Sequence, residues 1–340
     1  MKILVTGAAG FIGGYVVEEF LQAGYQVIGL DNLSKYGPVK RSSQQHPRCN
    51  FIEGDAKNIA LMKELLADCD HFVAAAAMTG GISYFHEFAY DLLAENERIT
   101  TAAVDSAIYA HQHHRLQKIT VLSSSMVFES TTEFPTPEGA QHRSPPPRST
   151  FGFQQLATEK CVQGAWEQYG LPYTIVRPFN CVGLGESRAA GCREVPSGNL
   201  KIAMSHVVPD LIQKVLRGQD PLHILGSGGQ ARHFTYAGDL ARGVRLCVEL
   251  PAALNEDFNI STPVRTTVLE LAELIWKKIH GAGRPFRYVS DPGFEFDVQE
   301  RSPSVEKASR LLGFKAETTL DTILDELIPW VAEQIEVGQV

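Results

Sequence analysis

Short apolar runs alternate with stretches of helical spacing through the first half of the chain. Lys2-Ile3-Leu4-Val5-Thr6 carries an unbroken apolar centre, as in a parallel strand covered on both faces. A glycine-rich turn follows, and then a helix from about Ile12 to Ala23. Val27 to Leu30 predicts a second strand ending at Asp31, and Phe51 to Asp55 a third. Ile59 to Leu66 has helical spacing and His71 to Ala75 reads as a fourth strand. A helix over Ala89 to His111 leads into the strand Lys118 to Ser123. Thr131 to Arg148, rich in Pro, Thr and Ser, reads as a surface loop. Beyond it the pattern predicts a helix over Phe153 to Tyr169 and a strand over Tyr173 to Arg177. This alternation specifies an α/β fold around a doubly wound parallel sheet. Asn180 to Gly198 has the Gly, Arg and Ser content of an active-site loop, and further helices are expected at 206–217, 236–250, 267–280 and 320–335.

Composition narrows the function classes. The chain has 340 residues, 44% hydrophobic and 21% charged, with a net charge of −8. That acidity argues against a nucleic-acid surface. No apolar run reaches the roughly 18 residues a membrane helix needs. The chain opens directly on a strand pattern, so no signal peptide is expected and a cytoplasmic location follows. Six cysteines are scattered at 49, 69, 161, 181, 192 and 247 without a C-x-x-C pair. They predict free thiols, with neither a metal site nor a disulfide framework.

Gly7-Ala8-Ala9-Gly10-Phe11-Ile12-Gly13 has G-x-x-G-x-x-G spacing between a strand and a helix. Glycines there let the backbone approach a pyrophosphate, and the helix N-terminus supplies donors and positive potential. Asp31 closes the second strand, where a carboxylate accepts from both adenosine ribose hydroxyls and repels a 2′-phosphate. NAD is therefore favoured over NADP. Asp55 suits the adenine edge, and a plain Gly-Asp turn accounts for it equally.

Taken together, several motifs resemble the extended short-chain dehydrogenases, the nucleotide-sugar epimerases and dehydratases. They are the glycine turn, Asp31-Asn32-Leu33-Ser34, Gly54-Asp55, Ala74-Ala75-Ala76-Ala77, Leu122 to Phe128, Arg177-Pro178-Phe179-Asn180, and Arg232 to Tyr236. The resemblance covers nearly the whole chain. It implies a Rossmann-type NAD-binding domain over 1–178, rejoined by about 235–262, and a smaller C-terminal nucleotide-sugar-binding domain over 179–340. Carried onto this chain, it places NAD against Gly7, Ala9, Gly10, Phe11, Ile12, Gly13, Asp31, Asn32, Asp55 and Ala56. Ala74, Ala75, Ala76, Ser123, Gln155 and Pro178 complete that set.

The same resemblance exposes a gap. Ser124 matches the family's catalytic serine, but Phe151 stands at the catalytic tyrosine and Gln155 at the lysine four residues on. Phe151 has no ionisable proton, and loss of a general base costs on the order of 10²–10⁴ in rate. Ser125 and Met126 occupy the place of the Asp-Glu pair of 4,6-dehydratases, and Met126 also replaces the Cys of 3,5-epimerising relatives. Gly80-Gly81-Ile82 and Ser205-His206-Val207-Val208-Pro209 resemble that second subgroup, whose histidine is an acid/base. His206 is thus the first candidate for proton transfer; the alternative is a helix-capping or pocket-lining role. Tyr84 and His86 on the loop after Gly80-Gly81 are further candidates, as is Glu129, and Cys192 is a weak nucleophile candidate.

For the substrate, the resemblance places Asn180 and Arg232 on a sugar diphosphate, where an Arg fork suits two phosphate oxygens. Ser125 is a further substrate candidate and Arg301 a second phosphate or ribose candidate, with a surface ion pair as the alternative for either arginine. His233 stands where relatives have Asp. GDP, UDP, dTDP and CDP remain open. The reading that follows is an NAD-dependent epimerase, or related isomerase or dehydratase, acting on a nucleotide-diphosphate sugar by transient oxidation of a ring carbon with non-standard acid/base residues. The alternative is a catalytically silent NAD/nucleotide-sugar-binding protein that senses or scaffolds. A non-redox lyase or mutase with structural NAD is a third reading. A homodimer through the helices around 89–111 and 153–169 is implied by the resemblance alone.

Overall fold

The computed structural model describes residues 1–39, 41–80, 87–186, 194–203, 206–293 and 298–338. Its centre is a seven-stranded sheet of β1 (Lys2–Thr6), β2 (Gln26–Asp31), β3 (Cys49–Glu53), β4 (His71–Ala74), β5 (Lys118–Leu122), β6 (Tyr173–Pro178) and β7 (Glu256–Ile260). The order is β7-β6-β5-β4-β1-β2-β3, and every neighbouring pair is parallel. Chain direction across the sheet reverses between β1 and β4. Ligands of open α/β sheets bind outside the carboxyl ends of the strands at such a switch point.

The helices are α1 (Phe11–Gln22), α2 (Ile59–Leu66), α3 (Ala89–His113), α4 (Thr150–Tyr169), α5 (Val207–Leu216), α6 (Ala237–Glu249), α7 (Val268–His280), α8 (Glu306–Leu312) and α9 (Leu320–Glu336). Two layers sandwich the sheet, which explains the unbroken apolar run at the start of the chain. Ile3 and Val5 join Val16, Phe20, Leu240 and Val244 of α1 and α6 on one face. Leu4 points the other way, to Met62, Leu66, Ala107 and Val162 of α2, α3 and α4. Strand side chains alternate faces, so a strand covered twice must be apolar at every central position. Each fully buried Leu or Ile contributes about 1.5–3 kcal/mol. A third core joins α5, α7 and α9 through Leu211, Ile212, Ile275, Trp276, Leu324 and Leu327, and forms the layer opposite the strand ends.

Three details differ from the sequence-based expectation. Helix α4 begins at Thr150, because the Ser149 hydroxyl accepts from Gly152 N (3.0 Å) and caps it. Phe151 and Gln155 therefore share one face of a helix. The stretch 131–148 is more than a surface loop: Thr136, Ala140 and Gln141 are buried. Thr136 N donates to Ser302 O (2.7 Å), Ser304 N to Thr136 O (2.8 Å), and Asn259 N to Glu138 Oε1 (2.8 Å). Long-range backbone partners hold it, and composition does not record those. Finally, β7 and α8 are found where no element was expected. Among the described residues, no helix is long and apolar enough to cross a membrane.

Candidate active site

A cavity of about 1420 Å³ opens beyond the carboxyl ends of β1, β4, β5 and β6 and runs to the third core. At its sheet end lies the glycine turn. Gly7 has φ +72°, and its N donates to Leu30 O (2.8 Å). A Cβ on Gly7 would meet Ala75 O at 2.8 Å, and one on Gly13 would meet Gly7 O at 2.0 Å. Only glycine fits either position. Asp31 is pinned by two amides: Ala9 N donates to Oδ2 (2.9 Å) and Leu33 N to Oδ1 (2.8 Å). Its carboxylate thus faces the cavity with lone pairs left over for ribose hydroxyls. Asp55 Oδ1 accepts from Lys57 N (2.8 Å), and its Oδ2 lies 3.6 Å from Lys57 Nζ.

The structure brings nearly all of the expected cofactor residues onto this one wall. Gly7, Ala9, Gly10, Phe11, Ile12, Gly13, Asp31, Asn32, Asp55, Ala56, Ala75, Ala76, Ser123, Gln155 and Pro178 line it. Ala74 does not; it borders a separate void of about 30 Å³ together with Thr6 and Thr158. Ser123 has its hydroxyl turned away from the cavity. It donates to Glu159 Oε1 (2.6 Å), which also accepts from Arg177 Nε (2.6 Å), while Glu159 Oε2 accepts from Arg177 Nη2 (2.8 Å). Arg177 lies 2.7 Å from Asp257 as well. This buried charge cluster anchors the ends of β5 and β6 under the site.

Around the expected reacting centre, Ser124 sits at the tip of β5, and its Oγ accepts from Met126 N (3.2 Å). Its hydroxyl proton is still available to a ligand. Phe151 is 6% exposed and packs with Leu92 and Met126. Gln155 is 4% exposed, and its buried Oε1 has no hydrogen-bond partner among the described residues. Glu129 Oε2 accepts from Ser149 N (3.0 Å) and Oγ (2.8 Å), so this carboxylate braces the start of α4.

On the substrate side, Ser125, Asn180, Arg232 and Arg301 all line the cavity. Asn180 has φ +39°, and its buried Oδ1 lacks a partner among the described residues. Arg301 Nη2 lies 2.9 Å from Met126 Sδ, which carries a guanidinium to the reacting end. Arg232 is 8% exposed and donates from Nη1 to Ala231 O (2.8 Å). His233, in place of the family's Asp, bridges Thr262 O (2.9 Å) and Ser302 Oγ (2.9 Å). It ties strand ends together, and burial pushes its imidazole below the usual range.

His206 occupies the N-cap position of α5, yet its side chain makes no cap hydrogen bond. Its Nδ1 is hydrogen-bonded to Glu186, and the ring is 47% exposed to the cavity. Partial removal from water, then the charges of Lys35 and Arg301, push the imidazole below its usual range, while the Glu186 carboxylate at Nδ1 pulls the other way. A depressed imidazole favours the neutral ring, the form that takes a proton. Tyr84, His86 and Cys192 lie outside the described residues.

Sequence reasoning did not single out Glu186, Arg41 or Tyr15. Arg41 Nε donates to Ala9 O (3.0 Å), and its guanidinium lies against Gly14 and Gly185. Tyr15 OH accepts from Leu184 N (2.9 Å). Together they dock the segment before Glu186 onto the glycine turn. The glycine at 185, which takes φ +87°, was the one local sign in the sequence; its partner Arg41 lies more than a hundred residues away in sequence.

A parallel sheet with a glycine turn, a cavity-facing acid and a cleft at the switch point define a dinucleotide-binding fold. Residues 3–261 match the NAD dependent epimerase/dehydratase family, and the chain belongs to it. The putative UDP-glucose 4-epimerase of Methanocaldococcus jannaschii is 27% identical over 331 residues, spanning 97% of this chain and 98% of that protein. The UDP-glucose 4-epimerase of Thermotoga maritima, solved with UDP-glucose, is 27% identical with a TM-score of 0.79, covering 98% of this chain and 100% of that one. The UDP-glucuronic acid 4-epimerase of Bacillus cereus, solved with UDP-glucuronic acid and NAD, shares the fold at 24% identity and TM-score 0.81, covering 98% and 99%. NAD is the cofactor of the family. The residues present fit it: the glycine cradle would be filled by any Cβ, and Gln155 Oε1 is an orphaned acceptor on the same wall.

Proposed function

We propose that this protein is an NAD-dependent epimerase of a nucleotide-diphosphate sugar, in which His206 performs the proton transfer that the family assigns to tyrosine. The carrying observation is that Ser124 and His206 face the same cavity as the glycine turn and Asp31. Bound NAD supplies the hydride acceptor for transient oxidation of a ring carbon. Ser124 Oγ holds the reacting hydroxyl and His206 takes its proton; the carbonyl so formed acidifies the C–H of the neighbouring ring carbon, and His206 removes that proton and returns one from solvent. Gln155 would accept from the nicotinamide ribose, but it carries no charge with which to activate a base. Arg232 and Arg301 hold the diphosphate and the sugar, and Asn180 adds an amide. UDP sugars are the first substrates to test, because the solved relatives carry them.

The test is a nucleotide-sugar panel in deuterated water, with released cofactor measured in parallel. Solvent deuterium at the ring carbon beside the oxidised one supports a keto sugar as intermediate, because the carbonyl acidifies that C–H. Protein that neither retains NAD nor alters any nucleotide sugar refutes the reading.

One observation favours a second reading, a silent NAD/nucleotide-sugar-binding protein. Phe151 is packed into an apolar cluster with Leu92 and Met126, so the tyrosine position has become core. Joint substitution of Phe151→Tyr and Gln155→Lys discriminates. Activity created from none supports the silent reading, whereas damage to an existing activity supports the adapted one. A homodimer through α3 and α4 fits the exposed Tyr90, Tyr109, Phe153, Trp166 and Tyr169 on those helices, and light scattering of the purified protein decides it.

A further inference from the structure

Among the carboxylates that line the cavity, Glu186 is one that the proposed function leaves without a role. Glu186 is 5% exposed, a poor place for an ionisable group unless it is paired. Its partner is Nδ1 of His206. Two anchors place it there. Leu184 N donates to Tyr15 OH (2.9 Å), and Gly185, at φ +87°, lies so close to Arg41 that a Cβ would stand 3.2 Å from Nη2. Arg41 in turn donates to Ala9 O (3.0 Å) in the glycine turn. The carboxylate is therefore mounted on the cofactor half of the molecule, while its histidine starts α5 in the substrate half.

We propose that Glu186 is a positioning residue for His206, holding the ring in the tautomer with its proton on Nδ1 so that Nε2 presents a lone pair to the bound sugar. This rests on His206 being the proton-transfer group of the proposed function. The physical argument is that a neutral imidazole has one donor and one acceptor nitrogen, and the partner of one nitrogen decides the role of the other. A carboxylate only accepts, so it selects the Nδ1–H form. It also stabilises the imidazolium that forms when Nε2 takes the proton. The other charges around the ring are Lys35 and Arg301, both cationic, and Asp210, one turn along α5, whose N donates to His206 O (3.2 Å). Among the described residues, Glu186 is an acid in side-chain contact with Nδ1.

The experiment combines ¹⁵N-histidine NMR of the NAD-loaded protein with deuterium wash-in from solvent. Wild-type His206 is expected to show a protonated Nδ1 and a bare Nε2. Glu186→Gln is expected to mix the tautomers and lower wash-in on the order of 10²–10⁴-fold, with NAD retention unchanged. Glu186→Asp, which keeps the carboxylate, is expected to restore the wild-type tautomer and part of the rate. A wild-type ring protonated on Nε2 overturns the proposal, and this readout needs no turnover. Wash-in lost in His206→Ala but kept in Glu186→Gln, with unmoved ¹⁵N shifts, overturns the role of Glu186 alone. Wash-in that survives His206→Ala overturns the reading of His206, and the positioning role with it.

Discussion

Replacing Glu159 by Gln changes no volume and should still be severe. Glu159 is 1% exposed and Arg177 0%. The carboxylate takes the Ser123 hydroxyl and Arg177 Nε on one oxygen and Arg177 Nη2 on the other, at 2.6, 2.6 and 2.8 Å. An amide can accept on one side only, so its NH2 must face either a guanidinium NH2 or the pair Ser123 and Arg177 Nε. One arm of the cluster becomes donor against donor. The buried guanidinium is left with Asp257, which it already shares with Lys307. Breaking one side of a buried pair costs about 3–5 kcal/mol. At roughly 2 °C per kcal/mol for a chain of this size, the melting temperature should fall by about 6–10 °C. Ser123→Ala removes a single charged hydrogen bond, about 1.5–3 kcal/mol, and should fall less. Thermal melts by circular dichroism measure both. A Glu159→Gln protein that melts within about 2 °C of wild type would refute the claim that this cluster anchors the strand ends under Ser124.

Three further outcomes follow from the geometry. Gly13→Ala should abolish NAD retention, because its Cβ would sit 2.0 Å from Gly7 O; cofactor that co-purifies at wild-type stoichiometry contradicts this. Asp31→Ala should weaken NAD about 10- to 100-fold by calorimetry, the loss of charge-assisted bonds of about 1.5–3 kcal/mol, and an unchanged Kd removes Asp31 from the site. Burial works to raise the Asp257 carboxyl, but Arg177 and Lys307 outweigh it and hold the group down to about 2 from 3.8. A depressed acid stabilises the fold above its unfolded value and loses that contribution as pH falls towards its folded one. Asp257 should therefore contribute about 2 kcal/mol that disappears between roughly pH 4 and pH 2. Asp257→Asn should melt lower at pH 7 and flatten the acid limb of the stability profile; an unaltered limb counts against the assignment.

The sheet was legible wherever burial on both faces forces an apolar run, as at Ile3 to Val5. It was not legible at β7, whose Glu256 and Asp257 look like loop residues. Their charges are there to meet Lys307 and Arg177, partners far away in sequence. Likewise, the stretch around Thr136 reads as polar surface because its anchors are backbone groups of 302–304. The cofactor wall was readable because glycine and Asp31 act through local geometry. Glu186 was not, since its meaning depends on His206 twenty residues on and on Arg41 across the fold.

The position of β7 in the chain bears on how the protein is made. Synthesis passes Pro178 with six strands of the sheet complete, and β7 begins only at Glu256. At roughly 5–20 residues per second, the nascent chain spends several seconds with the edge of β6 unpaired. During that interval Arg177 lacks Asp257, and an open parallel edge is a template for wrong pairing. The first 178 residues are thus a continuous stretch of sequence but not a finished folding unit. A fragment ending there should need a chaperone to stay in solution, even though it contains the whole glycine turn.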